Sequence, residues 1–501
     1  MNSSFIEKFK FLLPSTLDIF FITILLFVIV YDSGAHILKD ADTGFHIMTG
    51  RYIIDNLTFP RGDIFSYTVP GQEWIPFSWG TGVVFALIDS IAQLNGVVLI
   101  SAIIILATLF ISYCLLRHWQ INFFLTVLSM LLLTCLTTVH WLARPHLFTI
   151  FFTMLTFYLL ELGKDNKKYY YFIPFIMLLW VNFHPGFISG FFLLSLYFIG
   201  NILELLLSKN NDNKKALKDT LKYIFITGIG SLVLTLINPY GYKLYFYIYK
   251  TLTSSWIVNA TREYYSPNFH GTLAIIVYAI TLLIIIIVSF NSKEKPLDLP
   301  KILVLLFWTH LSLFSIRNIA IFAVVASPCF ALILQRYLDD NNKIKFLDKA
   351  DTKFIKIESI LKYHTWPLVL ILLLFIISIN GGYLFNNKIL NCYFSNNYIP
   401  VKAMDYYIKH PIKGNMFNED NWGGFIIYAY PKIKVFMDGR LDMYQQDFLG
   451  KYQQIVMTKD GWQEQLDTYN VKWILFSNNT VFHNILKNSP EWKIHYTDNL
   501  S

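Results

Sequence analysis

The sequence contains little charge and little cysteine, and it lacks the motifs of soluble nucleotide-dependent enzymes. Only 15% of its 501 residues are charged, against roughly 25% in a typical soluble domain, and 55% are hydrophobic. The four cysteines support neither a disulfide framework nor a zinc spacing. There is no Gly-x-x-x-x-Gly-Lys phosphate loop, dinucleotide-binding unit, His-Glu-x-x-His motif or nucleophile elbow. This composition and these absences exclude a soluble nucleotide-dependent enzyme, a disordered chain, a disulfide scaffold and a dedicated nucleic-acid binder.

Long apolar runs instead predict a polytopic α-helical membrane protein. The first run, Leu17–Tyr31, follows Lys8 and Lys10 and has no small-residue cleavage site, which predicts a retained anchor with its N-terminus inside. The segment Phe77–Gln93 is apolar but short, so we expect an interfacial or re-entrant helix there, or one additional short span. The predicted total is about 11–13 transmembrane helices. The further spans are expected near 97–117, 121–141, 146–162, 170–182, 187–207, 221–237, 272–290, 302–315, 319–335 and 366–385.

The distribution of lysine predicts the orientation of these helices. The net charge is +8, and much of the lysine excess lies in short connections between apolar runs. Such connections usually face the cytoplasm, so the remaining connections and the tail are expected to face outward. This predicts a transmembrane domain over 1–385, with a long outward loop at 32–77, and a soluble outward domain over 386–501. The lysine-rich connections lie at 164–168, 209–222, 293–301 and 343–362.

The tail after residue 385 reads as a small α/β domain. It contains 12 Lys and Arg and 11 Asp and Glu, which is typical of a soluble surface. Two short apolar segments, Lys434–Asp438 and Val471–Phe476, are predicted to be buried strands. The helices are predicted at Val401–His410, Tyr444–Val456 and Trp462–Tyr469.

The first outward loop carries the strongest candidates for chemistry. Asp40, Asp42 and His46 lie close together in sequence, and on a helix residues 42 and 46 share a face. A carboxylate held against apolar surface has a raised pKa and can accept a proton from a hydroxyl group. One of the two aspartates could also bind a cation. The alternative is a solvated loop in which Asp42 only caps a helix.

The other outward connections supply cations and imidazoles at helix ends. Arginine suits a phosphate because its guanidinium donates paired hydrogen bonds. Each residue alone also has a structural explanation, such as an arginine that anchors a helix end at the membrane surface. Their grouping on the side that holds the two aspartates favours a binding site. These candidates are Arg144, His146, His184, Arg262, Glu263 and Arg317.

The order of these features resembles the GT-C superfamily, which comprises integral membrane glycosyltransferases that use polyprenyl-phosphate-linked sugars. The nearest likeness is to a bacterial branch with Asp-x-Asp in the first outward loop. Two positions depart from that branch, since Ser78 stands where Glu often precedes Trp79, and Gly44 stands where an aromatic residue is common. The likeness covers nearly the whole chain. It is carried by Asp40-Ala-Asp42-Thr-Gly-Phe-His46, Pro60-Arg-Gly-Asp63, Arg144-Pro-His-Leu-Phe-Thr149, Trp180-Val-Asn-Phe-His184-Pro-Gly186, Asn238-Pro-Tyr-Gly241, Arg317-Asn318, Trp422-Gly-Gly424 and Asp438-Gly-Arg440-Leu-Asp442.

The resemblance implies an inverting transfer at the outer face of a bacterial inner membrane. Asp40 or Asp42 would be the general base, with His46 as a further catalytic residue. The six residues at the outward helix ends would bind a polyprenyl-phosphate-sugar donor. The acceptor, which could be a lipid, a glycan or a protein, is left open. A divalent cation, Mg²⁺ or Mn²⁺, could be held by the two aspartates.

Two other readings of the sequence stay open. The protein could be a non-catalytic transporter or scaffold for glycolipids, although a transporter would be expected to place ionisable residues near helix midpoints. It could also be a glycan polymerase or ligase, which would use the same class of donor on the same face of the membrane.

Overall fold

The chain is predominantly helical in the computed structural model, which describes residues 13–270, 273–291, 298–340 and 365–501, together with Phe354 and Glu358. Most of the lysine-rich connection predicted at 343–362 lies outside the described residues, and so do residues 293–297 of the connection before it.

Fourteen of the described helices precede the tail, and capping side chains define several of their starts. At the first helix, the Ser15 hydroxyl accepts from the Asp18 N–H and the Asp18 carboxylate accepts from the Ser15 N–H. Asn122 and Asp298 cap two later helices in the same way, by accepting a backbone N–H. The helices are α1 (Thr16–Val30), α2 (Asp42–Asn56), α3 (Trp79–His118), α4 (Phe123–Thr137), α5 (His146–Asp165), α6 (Ile173–Phe183), α7 (Ile188–Leu207), α8 (Asn211–Thr235), α9 (Lys243–Thr253), α10 (Ser255–Ala260), α11 (Leu273–Asn291), α12 (Leu299–Phe314), α13 (Ile319–Asp340) and α14 (Thr365–Ile379).

Six helical segments in the described part of the chain are long and apolar enough to cross a membrane. Two shorter apolar helices, α12 and α14, fall below that length. The structure thus supports an integral membrane protein by the length and composition of its helices. The six segments are Thr16–Gly34, Trp79–His118, Phe123–His140, His146–Asp165, Pro185–Leu207 and Ile316–Asp339.

The segment predicted at Phe77–Gln93 forms the first part of helix α3. This helix has 40 residues and is bent at Gln93, whose φ is 52° and ψ is −155°. A straight helix of that length would measure about 60 Å, which is twice the hydrocarbon thickness of a bilayer. Gln93 therefore divides α3 into two helical parts, and the placement of the first part at the membrane surface or across the membrane stays a prediction.

The helix order produces two ends of the bundle with different residues. At one end lie the start of α3, the start of α5 and the turn between α12 and α13, all of which border a large cleft. At the other end lie the connections 164–168 and 209–222, which are rich in lysine. These are called the cleft end and the lysine end below.

The tail contains short helices and two small sheets. The helices predicted at 401–410, 444–456 and 462–469 and the strand predicted at 471–476 are confirmed within one or two residues. The tail elements are β1 (Tyr383–Leu384), β2 (Asn387–Lys388), α15 (Val401–Lys409), β3 (Asn415–Asn418), α16 (Gly423–Ala429), α17 (Gln446–Val456), α18 (Trp462–Thr468), β4 (Val471–Leu475) and α19 (Val481–Lys487). Strands β1 and β2 are antiparallel, and β3 pairs in parallel with β4.

The strand predicted at Lys434–Asp438 is wrong. The segment is buried, but its backbone makes a single bridge, from Val435 to Ser66 of the first loop. The side-chain amide of Asn418 replaces a second strand, because its Oδ1 accepts from the Phe436 N–H and its Nδ2 donates to the Met437 carbonyl. The real partner of β4 is β3, in which Asn418 lies.

Candidate functional site

A cleft of about 1270 Å³ lies where the cleft end of the bundle meets the tail. The first loop and α2 form one wall, the turns at the helix ends form a second, and the tail forms a third. All nine residues predicted as catalytic or substrate-binding border this cleft. They are Asp40, Asp42, His46, Arg144, His146, His184, Arg262, Glu263 and Arg317.

The start of helix α2 fixes the two aspartates. Asp40 Oδ1 accepts from the Asp42 N–H at 2.9 Å, so Asp40 supports the first turn of the helix that begins at Asp42. Farther along, the Thr43 hydroxyl donates to the carbonyl of Ala143 at 2.8 Å. This contact holds the first loop against the turn that carries Arg144.

Arg144 is bound by three carboxylates. Its Nη1 donates to Asp40 Oδ2 at 2.7 Å and to Glu263 Oε1 at 3.1 Å, and its Nη2 lies 3.0 Å from Asp42 Oδ2. Burial alone would lower the pKa of this guanidinium, but the three carboxylates raise it overall. Arg144 therefore stays charged and holds the acidic groups in one place.

Glu263 joins Arg144 to a second arginine. Its Oε2 accepts from Arg317 Nη2 at 2.6 Å and from Arg317 Nε at 3.1 Å. The guanidinium of Arg317 also lies over the Tyr264 ring, 4.3 Å from its centre. The backbone fixes this pairing, because Ser315 Oγ donates to the Glu263 carbonyl at 2.8 Å. Arg144 and Arg317, which were both predicted to bind the donor, thus share the carboxylate of Glu263.

The pKa values of the carboxylates diverge. Burial, followed by the charge of Asp40, raises the pKa of Asp42 to about 8, although Arg144 opposes the shift. The charge of Arg144 is the main cause that holds the pKa of Glu263 well below its usual range, with Arg317 acting in the same direction. Three carboxylates face two guanidinium groups, so one excess negative charge is left in the cluster. Asp42 is the group on which a proton is best accommodated.

The ring of His184 is held in one tautomer. Its Nδ1 accepts from the Gly186 N–H at 3.1 Å and lies 2.7 Å from the Thr149 hydroxyl. That hydroxyl oxygen accepts from Trp180 Nε1, so its own proton points to His184. Burial lowers the pKa of His184 to about 3, with the nearby arginines acting in the same direction. The ring is therefore neutral and carries its proton on Nε2, as a hydrogen-bond donor.

His46 and His146 differ in how they are held. His146 Nε2 lies 2.5 Å from the carbonyl of His140, so its proton is on that nitrogen and Nδ1 is an acceptor. The half-buried His46 makes no hydrogen bond through its ring in the described part of the chain. Burial holds the pKa of His46 well below its usual value, helped by the charge of Arg144. His46 can therefore donate or accept one hydrogen bond in the cleft.

Like Lys39, Arg262 is an exposed cation that borders the cleft. Among the residues that the structure describes, it has no ion-pair partner, whereas its neighbour Glu263 is fully engaged. A guanidinium in this position is free to meet an anionic ligand.

The tail reaches the aspartates through Gly439. A Cβ at this glycine would collide with Asp42 Oδ1, so the absence of a side chain lets the backbone approach the carboxylate. The neighbouring Arg440 is buried and is bound by Asp438 and by Asp63 of the first loop, with Nη2 2.7 Å from Asp63 Oδ1. These two motifs therefore fasten the tail to the first loop beside Asp42.

The glycines after Trp422 allow helix α16 to pack closely against helix α2. A Cβ at Gly424 would meet the Ala41 carbonyl, and a Cβ at Gly44 would meet the Gly424 carbonyl. Helices α16 and α2 can therefore touch through their backbones. This contact also explains why a small residue stands at position 44, where the bacterial branch often has an aromatic one.

The aspartates do not present a ready cation site. The two amino groups of the Arg144 guanidinium contact both carboxylates, where a shared metal would need their oxygens. In the described residues, no group of three or more His, Cys, Asp or Glu is arranged to hold a metal ion. These residues therefore do not fit a resident Mg²⁺ or Mn²⁺ as they stand. Binding of such a cation stays a prediction, and no step below depends on it.

Sequence analysis did not propose three acids that border the cleft, which are Glu419, Asp420 and Asp442. Asp442 accepts from the Tyr247 hydroxyl at 2.8 Å, and burial raises the pKa of Asp442 to about 6. The two residues lie almost two hundred positions apart, and no local pattern connects them. The one signal for Asp442 was its place in the Asp438-Gly-Arg440-Leu-Asp442 motif, which supported only the resemblance.

A scan of protein-family models finds none that matches this chain, and a search of curated proteins finds no relative. The likeness to membrane glycosyltransferases therefore depends on the sequence motifs alone.

Proposed function

We propose that the protein is a membrane glycosyltransferase that moves a sugar from a polyprenyl-phosphate-linked donor to an acceptor hydroxyl. The observation that carries the proposal is the cleft in which an aspartate of raised pKa adjoins paired arginines at the end of an apolar helix bundle. A base for the acceptor and cations for a leaving phosphate are the groups that such a transfer needs.

Asp42 suits the role of base better than Asp40. Both oxygens of Asp40 are engaged, one by the Asp42 N–H and one by Arg144. Asp42 Oδ2 lies next to Arg144, whereas its Oδ1 faces the backbone of Gly439. In the proposed step, Asp42 takes the acceptor's hydroxyl proton and the acceptor oxygen bonds to the anomeric carbon. The bond from that carbon to the phosphate oxygen breaks, and the electron pair leaves with the lipid phosphate.

The phosphate would lie against Arg144 and Arg317, with Arg262 and His184 in support. These side chains border the cleft together with Glu263. His184 offers its Nε2–H as a neutral donor, and the two guanidinium groups offer charge where the leaving group becomes more negative. His46 and His146 border the same space and can bind sugar hydroxyls.

Helix α9 supports delivery of the donor from the lipid phase. Leu244 and Ile248 are buried, and Ile248 borders the cleft. The opposite face carries Tyr242, Phe246 and Tyr249, which are 73%, 69% and 65% exposed and recur at helical spacing. Aromatic residues with this exposure are typical of the membrane–water interface. The wall of the cleft would then lie at the bilayer surface, where a lipid-linked phosphate is found.

The size of the cleft favours one alternative within the same chemistry. Sites for small molecules usually measure about 300–1,000 Å³, and this cleft of about 1270 Å³ exceeds them. It could hold a donor sugar together with a long glycan. A glycan polymerase or ligase is therefore the second candidate.

We also propose the finer topology. Counting every apolar helix that runs between the two ends, including α6, α8, α11, α12 and α14, gives 11 crossings, within the predicted 11–13. The concentration of lysine at one end supports an orientation with the cleft and the tail outside the cell membrane. The bacterial inner membrane is the location that the resemblance implies.

The test is transfer by purified protein in liposomes, with a panel of polyprenyl-phosphate sugars and a mixed extract of envelope acceptors. Asp42→Asn keeps the shape of the side chain but removes the proton acceptor, so transfer should fall by about 10²-fold or more. Asp55→Asn is the matched control, because Asp55 is exposed on the same helix. Full transfer by Asp42→Asn protein would refute the assignment of the base.

A further inference from the structure

The pairing of Glu263 with two arginines resembles the binding of a phosphate. Its two oxygens contact Arg144 Nη1 at 3.1 Å and Arg317 Nη2 at 2.6 Å, with Arg317 Nε at 3.1 Å. Two anionic oxygens held by guanidinium groups are also the arrangement that a phosphate edge adopts with arginine. We propose that the Glu263 carboxylate occupies the site of the donor phosphate and is displaced when the donor binds. This inference rests on the proposed function.

The nitrogens of Arg144 and Arg317 that bond Glu263 cannot bind a phosphate in the same way while Glu263 is in place. Arg317 uses Nε and one terminal nitrogen on Glu263. Arg144 already contacts Asp40, Asp42 and Glu263. A phosphate that bound the same edges would have to lie where the Glu263 oxygens now lie.

The balance of charge also favours an exchange of anions. With a proton on Asp42, the remaining two carboxylates and two guanidinium groups sum to zero near pH 7. Adding a phosphodiester would bring the total to −1 in a partly buried cluster, which is costly. If Glu263 leaves as the phosphodiester arrives, the total stays at zero. One anion replaces the other at nearly constant charge.

The structure shows how Glu263 can leave. Its backbone carbonyl accepts from Ser315 Oγ, and the Tyr265 carbonyl accepts from the Ile316 N–H at 2.9 Å, so the backbone of this turn is fixed. The side chain is 33% exposed at the cleft. A change of rotamer toward solvent therefore frees both arginines without unfolding the turn.

A purely structural role for Glu263 predicts the opposite result. If Glu263 only held the arginines in position, its loss would let them drift and would weaken phosphate binding. If Glu263 competes with the phosphate, its loss should strengthen binding. The sign of the change in affinity separates the two.

The experiment measures the affinity of the full chain in lipid nanodiscs for undecaprenyl phosphate and, in a second arm, for inorganic phosphate. Glu263→Gln keeps the shape but removes the competing charge, so undecaprenyl phosphate should bind roughly tenfold more tightly, as a charged hydrogen-bond partner is replaced by a neutral one. Glu263→Asp, which is too short to span both arginines, should give a smaller gain. Glu491→Gln, an exposed change in the tail, should leave the affinity as in the wild type.

Each outcome has a separate meaning. If the affinity for inorganic phosphate also increases, the site binds the phosphate group alone. If only the affinity for undecaprenyl phosphate increases, the site also contacts the polyprenyl chain. If the wild type binds undecaprenyl phosphate and neither Glu263 variant binds it more tightly, or a variant binds it more weakly, the inference is overturned. The proposed function is then unaffected. If no form of the protein binds undecaprenyl phosphate, the proposed function itself fails.

Discussion

Helix α5 has a cluster of charged side chains at each end, and the two clusters differ in balance. At the lysine end, Glu161 and Asp298 face Lys164 and Lys301, with N···O distances of 2.5–2.9 Å. Two positive charges match two negative ones, and Tyr197 donates a further hydrogen bond to Glu161. At the cleft end, three carboxylates face two arginines.

The difference indicates different roles. Glu161 and Lys301 are only 3% and 5% exposed, and the balanced cluster joins α5 to α12. The cleft cluster borders a large open space and has one carboxyl group more than it has guanidinium groups. A balanced and buried network is typical of a structural contact, whereas an unbalanced cluster in a cleft is typical of a functional site.

The largest effect is expected from breaking the balanced cluster. Lys301→Met leaves Glu161 buried with one cation fewer, so the free energy of unfolding should fall by about 3–5 kcal/mol. Thermal unfolding in detergent measures this loss, and phosphate binding by the folded fraction should be unchanged. Lys168→Met, at an exposed lysine near the same end, is the control. An unchanged melting temperature for the Lys301 variant would contradict a structural role for this cluster.

A smaller effect, on binding instead of stability, is expected in the cleft cluster. Arg317→Lys keeps the charge but loses the paired donors, so undecaprenyl phosphate should bind about 1–3 kcal/mol more weakly. The melting temperature should stay near that of the wild type. Arg117→Lys, at an exposed arginine outside the cleft, is the comparison. If lysine replaces Arg317 without loss of affinity, this arginine only anchors a helix end.

The same change at Arg144 should affect both binding and stability. Arg144 holds three carboxylates, and a lysine cannot contact all of them with the same geometry. The Arg144→Lys variant should therefore bind undecaprenyl phosphate more weakly and also melt at a lower temperature. Equal melting temperatures for the Arg144 and Arg317 variants would contradict the view that Arg144 holds the three carboxylates together.

The rate of transfer should depend on pH through Asp42. Its pKa is raised to about 8, so the proton is bound below that pH and the basic form appears above it. The value of kcat/KM should therefore rise about tenfold between pH 7 and pH 9. The residual activity of Asp42→Asn should lack this rise. A wild-type rate that falls over the same interval would exclude Asp42 as the base.

The orientation of the cleft can be tested without affecting either cluster. Single cysteines at Asn56 and Asn479, both exposed, are introduced after Cys114, Cys135, Cys329 and Cys392 are replaced. A membrane-impermeant thiol reagent should label both from outside the cell membrane. Labelling of one alone would contradict the contact between the first loop and the tail, and labelling of neither from outside would reverse the orientation.

The sequence predicts which residues lie together at the site, but it does not predict the contacts that they make with one another. Lysine is concentrated at one set of connections, so the aspartates and arginines of the other set could be assigned to a common face. Arg144 and Asp40 lie 2.7 Å apart across 104 positions, as that grouping allows. The pairing of Glu263 with both arginines could not be foreseen, because it depends on a contact between two distant turns, the hydrogen bond from the Ser315 hydroxyl to the Glu263 carbonyl.

The wrong strand prediction in the tail has a similar cause. The segment 434–438 has the apolar character of a buried strand, and Val435 and Phe436 are indeed fully buried. Whether such a segment pairs with a strand or with a side-chain amide is decided by a distant residue, here Asn418. The hydrophobic pattern of a segment indicates that it is buried, but it does not identify the group that hydrogen-bonds its backbone.

The contact of Gly439 with Asp42 bears on the order in which the protein is made. The first loop is synthesised nearly four hundred residues before Gly439, and during that interval Asp42 lacks the backbone that finally covers one of its oxygens. The cleft acquires its third wall only after the later helices have been inserted and the tail has folded on the same side of the membrane. A ribosome-bound chain that has not yet reached Gly439 would thus hold Asp42 and the arginines without this third wall.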